Sequence, residues 1–233
     1  SIPDPNFKFF FLKPECYQTP PNAEPIDSLL KRTGEFLEEL KNREDLKDKT
    51  PIQIRDLGVR LSFVPEDRLG MGLVASLGMT DNMLLKSYKT GKSPFVDRKP
   101  AKALSKNLVN KLEIKTPSIE TPVRLLSGGN VQKVLIGREI ESSPNLLITA
   151  YPVRGLDINS SYTIYHLLNE QKKNNVAVLY IGEDLDVLLE LCDRIMVLCH
   201  GKISGIADAK SITKEQIGMM MTGSTLEEVM ENG

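Results

Sequence analysis

The chain has 233 residues, of which 40% are hydrophobic and 26% are charged, with a formal net charge of -1. This composition is typical of a globular protein, and the length fits one large domain or a core domain with a small insertion. The nearly balanced charge excludes the strongly basic surface with which proteins bind nucleic acid or anionic membranes. No apolar run approaches the ~20 residues of a membrane-spanning helix, so any membrane association would go through a partner.

The cysteines and histidines give no indication of a metal site. The three cysteines lack CxxC spacing and are odd in number, which is typical of a protein in a reducing cytosol. His166 and His200 are far apart in the sequence and near no other candidate ligand, which favours structural or surface positions. The sequence therefore predicts no bound metal.

The first 48 residues are predicted to form a strand, a loop and a helix. Aromatic residues favour a short strand over residues 7–12, and several prolines follow it. Apolar residues at helical spacing then predict an amphipathic helix over residues 27–42. The phosphate-binding P-loop motif G-x-x-x-x-G-K-[ST] does not occur in these 233 residues, and the proline-rich loop lacks the backbone amides that phosphate binding needs.

Short helices dominate the next part of the chain. Residues 49–58 resemble a short helix, and residues 59–64 are predicted as a strand. The capping residues Thr80, Asp81 and Asn82 predict a helix start, and a second helix is expected over residues 100–112.

The second half alternates strands with helices. Apolar runs at 146–150 and 176–181 predict buried parallel strands, and the hairpin that follows is expected at 194–198 and 202–207. The predicted helices cover residues 160–173, 184–192 and 214–221, and the tail after them is expected to fray. This alternation favours an α/β fold with a mostly parallel sheet.

A hydrophobic core follows from these elements. The central strands should bury one set of apolar residues, and the helix after Ser127 should pack a second set against the sheet. The expected strand residues are Leu146, Leu147, Ile148, Val178, Leu179 and Ile181, and the expected helix residues are Val134, Leu135 and Ile140.

The segment that indicates most about function is Leu-Ser-Gly-Gly-Asn at residues 126–130. We call this segment the Ser-Gly-Gly turn. Ser127 is suited to capping the backbone amides of a helix that begins there. Gly128 and Gly129 carry no side chains, so an anion can come close to the backbone. The helix start offers aligned N–H groups and a partial positive charge, which suits a phosphate. For these three residues taken alone, an ordinary turn before a helix is the more common explanation.

The surrounding sequence favours the phosphate interpretation. Residues 126–133 resemble the signature motif of ABC-type ATPases, which in sugar-type importers is Leu-Ser-Gly-Gly-Asn-x-Gln-Lys. Residues 152–157 resemble the segment after the Walker B strand, including the D-loop Leu-Asp, and residues 63–74 resemble the Q-loop region. The resemblance covers about residues 45–225 and is closest to the second ATPase half of the double-domain subunits of simple-sugar and nucleoside importers.

This resemblance implies a P-loop-NTPase-like core with a mostly parallel sheet and an inserted helical subdomain. The core would comprise residues 49–68 and 123–210, with the helical subdomain at 69–122 and a C-terminal helix and tail at 211–233. Residues 1–48 do not align with the family. They either replace the P-loop unit or are an unrelated addition.

The same resemblance implies that hydrolysis has been lost. The two acidic positions after the Walker B strand fall on Ala150 and Tyr151, which hold no divalent cation and provide no general base. Residues 182–184, Gly-Glu-Asp, stand where the switch histidine is expected, and Glu66 stands in the place of the Q-loop glutamine. We expect no catalytic residue in this chain.

The signature-motif residues, which act on a partner domain, are still present in the sequence. In ABC proteins two ATPase domains pair head to tail, and the signature motif of one closes over ATP on the other. Ser127, Gly128, Gly129 and Asn130 are therefore the expected nucleotide-contacting residues, with ATP and Mg²⁺ held by the partner domain. Asp157 is expected either to cross that interface as the D-loop residue or to cap the next helix, and the two roles are compatible.

A second set of expected contacts involves the membrane subunits. Glu66, Asp67 and Arg68 are either a solvated charge cluster or lie near the groove that receives the transporter's coupling helix. The resemblance implies two kinds of partner, a competent ABC ATPase domain and transmembrane permease subunits. The chain would then lie on the cytoplasmic face of the membrane without inserting, and it would bind no nucleic acid.

Two other functions remain open from the sequence. The chain could be an ATPase whose P-loop lies outside these residues or has been replaced by residues 13–25. It could also be a structural or regulatory module that kept the fold without contacting nucleotide. The transported solute does not follow from the sequence.

Overall fold

The computed structural model describes residues 9–12, 49–88 and 96–231, and for residues 9–12 only the backbone. The predicted helix at 27–42 and the proline-rich loop lie outside the described residues. The predicted N-terminal strand is present as β1, which is Phe9–Leu12. The division of the chain into a core, a helical subdomain and a C-terminal segment remains a prediction.

In the described part of the chain, six strands form one sheet in the order β2-β3-β4-β1-β5-β6. The expected parallel sheet is present in β2, β3 and β4, whereas β1, β5 and β6 pair antiparallel to their neighbours, so the sheet is mixed. The strands after β1 are β2 Leu61–Val64, β3 Leu146–Ala150, β4 Ala177–Ile181, β5 Cys192–Cys199 and β6 Lys202–Asp208. Since the carboxyl ends of parallel strands share one sheet edge, the segments after β2, β3 and β4 lie side by side there.

Helices pack around this sheet. Two short helical turns accompany them, a π-helical turn at Arg68–Gly72 and a 3₁₀ turn at Val123–Leu125. The α-helices are α1 Pro51–Asp56, α2 Met79–Ser87, α3 Lys99–Lys111, α4 Gly128–Glu141, α5 Ile158–Lys173, α6 Leu185–Leu191, α7 Lys214–Met221 and α8 Leu226–Glu231.

The start of α2 differs from the prediction. The helix begins at Met79 with Gly78 as its N-cap, so Thr80, Asp81 and Asn82 lie in its first turn. A Cβ on Gly78 would lie 2.8 Å from the backbone of Glu120, so only glycine allows this approach. The Asn82 side chain is fully buried and bonds the loop before the helix, accepting the Val74 N–H at 2.8 Å and donating to the Gly78 carbonyl at 3.0 Å. Asn82 therefore stabilises the loop rather than capping the helix.

The core lies mainly on the face of the parallel strands that carries Leu147 and Val178, and the predicted core was only partly right. Leu147, Val178, Ile181, Val134 and Leu135 are buried as expected. Three strand residues that were also expected in the core are only partly buried, namely Leu146, Ile148 and Leu179. The helix residue Ile140 is partly buried and packs against the core as expected. Successive side chains of a strand point to opposite faces, so Leu146 and Ile148 lie opposite Leu147. A continuous apolar run did not reveal this alternation.

The described part of the C-terminal tail, up to residue 231, is folded, contrary to the expected fraying. It forms α8, in which Val229 is 2% exposed. A Cβ on Gly205 of β6 would lie 2.6 Å from Cβ of Leu226, so glycine allows α8 to pack closely on the sheet edge. The tail is ordered because it buries apolar surface there.

Candidate functional site

The Ser-Gly-Gly turn lies at the start of α4, beside the carboxyl ends of the parallel strands. Ser127 is the N-cap residue of α4, but its hydroxyl bonds no backbone amide, contrary to the expected capping. Instead its Oγ accepts a hydrogen bond from Asn130 Nδ2 at 2.8 Å. Asn130 Oδ1 accepts the Lys115 N–H at 2.9 Å, which connects the turn to the loop after α3.

This arrangement leaves backbone donors unused at the helix start. Within the described part of the chain, the N–H groups of Gly128, Gly129 and Asn130 have no hydrogen-bond acceptor. The first amides of a helix have no partner inside the helix, and they carry the positive end of its dipole. The 14-residue helix α4 therefore presents a set of donors suited to an anion.

The two glycines of the turn have different roles. A Cβ on Gly128 would lie 3.6 Å from Nη1 of Arg68 and 3.9 Å from Cδ2 of Leu156, which are ordinary contacts in open space. A Cβ on Gly129 would lie 2.5 Å from Oγ of Ser160, which is too close. Gly129 therefore allows α4 to approach the start of α5, whereas Gly128 leaves the backbone accessible from outside.

Asp157 caps α5. Its Oδ1 accepts the Ser160 N–H at 3.0 Å and its Oδ2 accepts the Ser160 hydroxyl at 2.7 Å. These hydrogen bonds hold the pKa of the Asp157 carboxyl below its usual value. The expected capping role is thus confirmed, and the D-loop role remains a prediction.

Glu66 and Arg154 form an ion pair across the sheet edge. Nη1 of Arg154 lies 2.5 Å from Oε1 of Glu66, and its guanidinium lies 5.6 Å from the centre of the Tyr151 ring. The hydrogen bond and the charge of Glu66 raise the pKa of Arg154. Tyr151 has a φ of 47°, so the chain turns sharply directly after β3. This ion pair connects the segment after β2 to the loop after β3.

Arg68 lies between α4 and the loop that follows β3. Its Nε donates to Oε1 of Gln132 on α4 at 2.8 Å, and its Nη2 donates to the carbonyl oxygen of Arg154. Burial lowers the pKa of Arg68, and the charge of Glu66 opposes this shift. No sequence signal indicated the contact between Arg68 and Gln132, because the two residues are 64 positions apart.

Asp67 has a local role. It is the N-cap of the π-helical turn, and its Oδ1 accepts the Gly70 N–H at 2.8 Å. The three charged residues 66–68 are therefore not a simple solvated cluster, since each makes a separate contact.

An open concavity of about 390 Å³ connects these elements. It is lined by residues of the turn and of the segment after β2, namely Glu66, Asp67, Arg68, Leu69, Leu126, Gly128 and Val131. Arg68 and Gly128 thus face the same opening.

The residues at the other strand ends do not suit a metal. Ala150 ends β3, and Asp184 caps α6 by accepting the N–H groups of Asp186 at 3.1 Å and Val187 at 3.3 Å. Among the described residues, no group of three or more His, Cys, Asp or Glu side chains is placed to hold a metal ion. His166 and His200 are both exposed.

Comparisons with known proteins show which proteins this chain is similar to in sequence. The chain is 34% identical over 198 residues to the guanosine import ATP-binding protein NupO of Bacillus subtilis, which covers 80% of this chain and 37% of that protein. It is 37% identical over 163 residues to the xylose import ATP-binding protein XylG of Moorella thermoacetica, covering 70% of this chain and 32% of that protein. The chain is a homologue of the import ATP-binding proteins. It spans about a third of the length of these relatives.

Solved structures show that the fold is that of ABC ATPase cassettes. The dimeric, post-hydrolysis structure of the ATP-binding cassette MJ0796 with ADP and Pi matches with a TM-score of 0.58 at 18% identity, over 71% of this chain and 70% of that chain. The ADP conformation of the cassette MJ1267 matches with a TM-score of 0.54 at 19% identity, over 80% of this chain and 73% of that chain. No protein-family model matches the chain. The predicted α/β, P-loop-NTPase-like fold is confirmed.

Proposed function

We propose that this chain is the ABC ATPase component of a sugar- or nucleoside-type importer that supplies its Ser-Gly-Gly turn to an ATP site on a partner domain. The observation that carries the proposal is the set of unused N–H groups at Gly128, Gly129 and Asn130, open to the outside beside Arg68. The names of the relatives, which import guanosine, xylose and ribose, support the importer part of the proposal.

The partner domain would hold ATP and Mg²⁺, because the described residues at the end of β3 do not fit a divalent cation. Ala150 ends β3 and Tyr151 follows it, at the two positions where metal-binding carboxylates are expected. The Tyr151 ring lies against the Arg154 guanidinium. The start of α4 does fit a phosphate, since amides and the helix dipole both favour negative charge there. In the proposed complex these amides bind the γ-phosphate of the partner's ATP, together with the Ser127 hydroxyl, while Asp157 lies at the interface.

The contact with the membrane would go through permease subunits. Among the residues that the structure describes, no helix has the length and apolar character to cross a bilayer. We propose that the segment with Glu66, Asp67 and Arg68 lies near the groove for the permease, which would keep the chain at the inner face of the membrane.

We expect the isolated chain not to hydrolyse ATP. Without a metal-binding carboxylate or a carboxylate that positions water, both charge stabilisation and nucleophile alignment are lost. A phosphate-release assay on the purified chain with Mg²⁺ and ATP should show no turnover above the buffer blank.

The contrary result would be Mg²⁺-dependent turnover that follows the protein through gel filtration. If this turnover also disappeared in a chain with Ser127 and Gly128 replaced, the chain would be an ATPase by itself. A contaminating ATPase would instead leave the turnover unchanged in that variant.

A further inference from the structure

We infer that Arg68 is a positioning residue that fixes the Ser-Gly-Gly turn relative to the loop of residues 151–157. Its importance for ATP turnover rests on the proposed function, in which both segments meet the partner domain. The inference itself rests on contacts within this chain.

Arg68 bonds both segments with different nitrogens of one guanidinium. Nε binds Oε1 of Gln132, one helical turn after the start of α4, and Nη2 binds the carbonyl oxygen of Arg154. The guanidinium is planar and its donors have a fixed geometry, so these two bonds determine the distance between helix and loop. The remaining nitrogen, Nη1, lies 3.6 Å from the place of a Cβ on Gly128.

The loop is tied back to the same segment by a second bond. Arg154 Nη1 binds Glu66, two residues before Arg68, so residues 66–68 hold the loop by both its backbone and a side chain. A movement of residues 66–68 would therefore move the loop and α4 together. This segment follows β2 directly, and Asp67 fixes its turn.

Gln132 shows why the contact with Arg68 matters for α4. The Gln132 side chain is fully buried, and its Nε2 has no hydrogen-bond partner among the described residues. In that part of the chain, Arg68 provides the hydrogen bond to its Oε1. Removing Arg68 would leave a buried amide without partners, which destabilises the arrangement of the first turns of α4.

The first test is amide hydrogen exchange on the full chain. Arg68→Ala should speed exchange at Val131, whose N–H bonds Ser127, and at Leu156, whose N–H bonds Val153. Both sites should exchange about tenfold faster or more, while amides of the central strands β3 and β4 change little. Arg55→Ala is the matched control, because Arg55 is exposed on α1.

A second variant separates geometry from charge. Arg68→Lys keeps the positive charge, but a single ammonium group does not reproduce the two fixed bonds. We expect the amides of Val131 and Leu156 to exchange as fast in Arg68→Lys as in Arg68→Ala. Protection restored to the wild-type level by lysine would overturn the positioning role, as would unchanged exchange at Val131 and Leu156 in Arg68→Ala.

The same variants then test the link to ATP turnover. With a P-loop-bearing ATPase domain of the same importer, Arg68→Ala should lower kcat about tenfold or more and leave KM for ATP nearly unchanged, since misplaced groups reduce rates strongly. A changed KM with an unchanged kcat would contradict the inference. If Gly128→Asp also left turnover unaffected, the proposed function would be wrong. Amide hydrogen exchange at Val131 and Leu156 would still decide whether Arg68 positions the turn.

Discussion

Replacing Gly128 with aspartate is expected to abolish ATP turnover by the partner domain while this chain stays folded. The fold has room for the new side chain, because a Cβ at this position meets only Nη1 of Arg68 at 3.6 Å and Leu156 at 3.9 Å. The carboxylate would lie at the positive end of α4 and near the Arg68 guanidinium, both of which favour it. The site would then already carry the negative charge that it is proposed to receive.

The loss of turnover follows from charge repulsion. Two like charges about 4 Å apart repel by about 4 kcal/mol at an effective dielectric constant of about 20, which corresponds to roughly a thousandfold in an equilibrium constant. The γ-phosphate would have to approach to about that distance. Closure of the partner's site over this chain should therefore be prevented.

The experiment compares turnover and melting temperature for the wild-type chain, Gly128→Asp and Gly128→Ala, each with the P-loop-bearing partner. Gly128→Ala is the matched control, since it adds a methyl group without charge in the same space. Wild-type turnover in the aspartate variant, with an unchanged melting temperature, would show that the turn no longer serves an ATP site. A melting temperature that fell in the aspartate variant alone would contradict the prediction that the start of α4 accommodates the aspartate side chain.

Truncating Leu147 to alanine is expected to lower the free energy of unfolding by roughly 2–5 kcal/mol. Leu147 is 0% exposed. It lies on β3, which pairs with β2 on one side and with β4 on the other. The truncation removes buried apolar surface and leaves a cavity that the closely packed sheet and helices do not fill.

The matched control is the neighbouring residue of the same type. Leu146 is only partly buried and lies on the opposite face of the sheet. Leu146→Ala should therefore lower the free energy of unfolding by distinctly less than Leu147→Ala. Urea denaturation of both variants gives the two free energies. Equal losses would show that the two faces of the sheet are equally important for stability.

The elements whose signals are local were predicted well from the sequence. The strand at Leu146–Ala150 and the helix at Lys214–Met221 have the predicted bounds. The apolar run lies within the strand, and the capping residue Thr213 directly precedes the helix, so both signals are local. The motif around Gly128 also indicated a helix start correctly.

The sequence did not predict features that depend on contacts between distant segments. The Ser127 hydroxyl was expected to cap α4 but is bonded by Asn130, which is itself fixed by Lys115 from the loop after α3. The tail was expected to fray, yet it packs where Gly205 gives it space. The Arg68 contacts depend on β2 and β3 being neighbours in the sheet, which no local pattern shows.

The site shows the same division between local and distant signals. Residue types identified the Ser-Gly-Gly turn, but only the structure distinguishes Gly129, which packs against Ser160, from Gly128, which is open. Likewise, the cap formed by Asp157 was predictable from its position before a helix, whereas its proposed role at an interface depends on a partner.

The most direct test of the central proposal is to find which atoms surround the γ-phosphate. The chain is combined with its P-loop-bearing partner and an ATP analogue that carries an aryl azide on the γ-phosphate, and the mixture is illuminated. Trypsin cleaves after Arg124 and Lys133, so the Ser-Gly-Gly turn lies in the peptide of residues 125–133, which mass spectrometry can identify. We predict that this peptide carries the label and loses it in Gly128→Asp. Label confined to the partner domain, in a complex that hydrolyses ATP, would contradict the proposal that this chain completes the site.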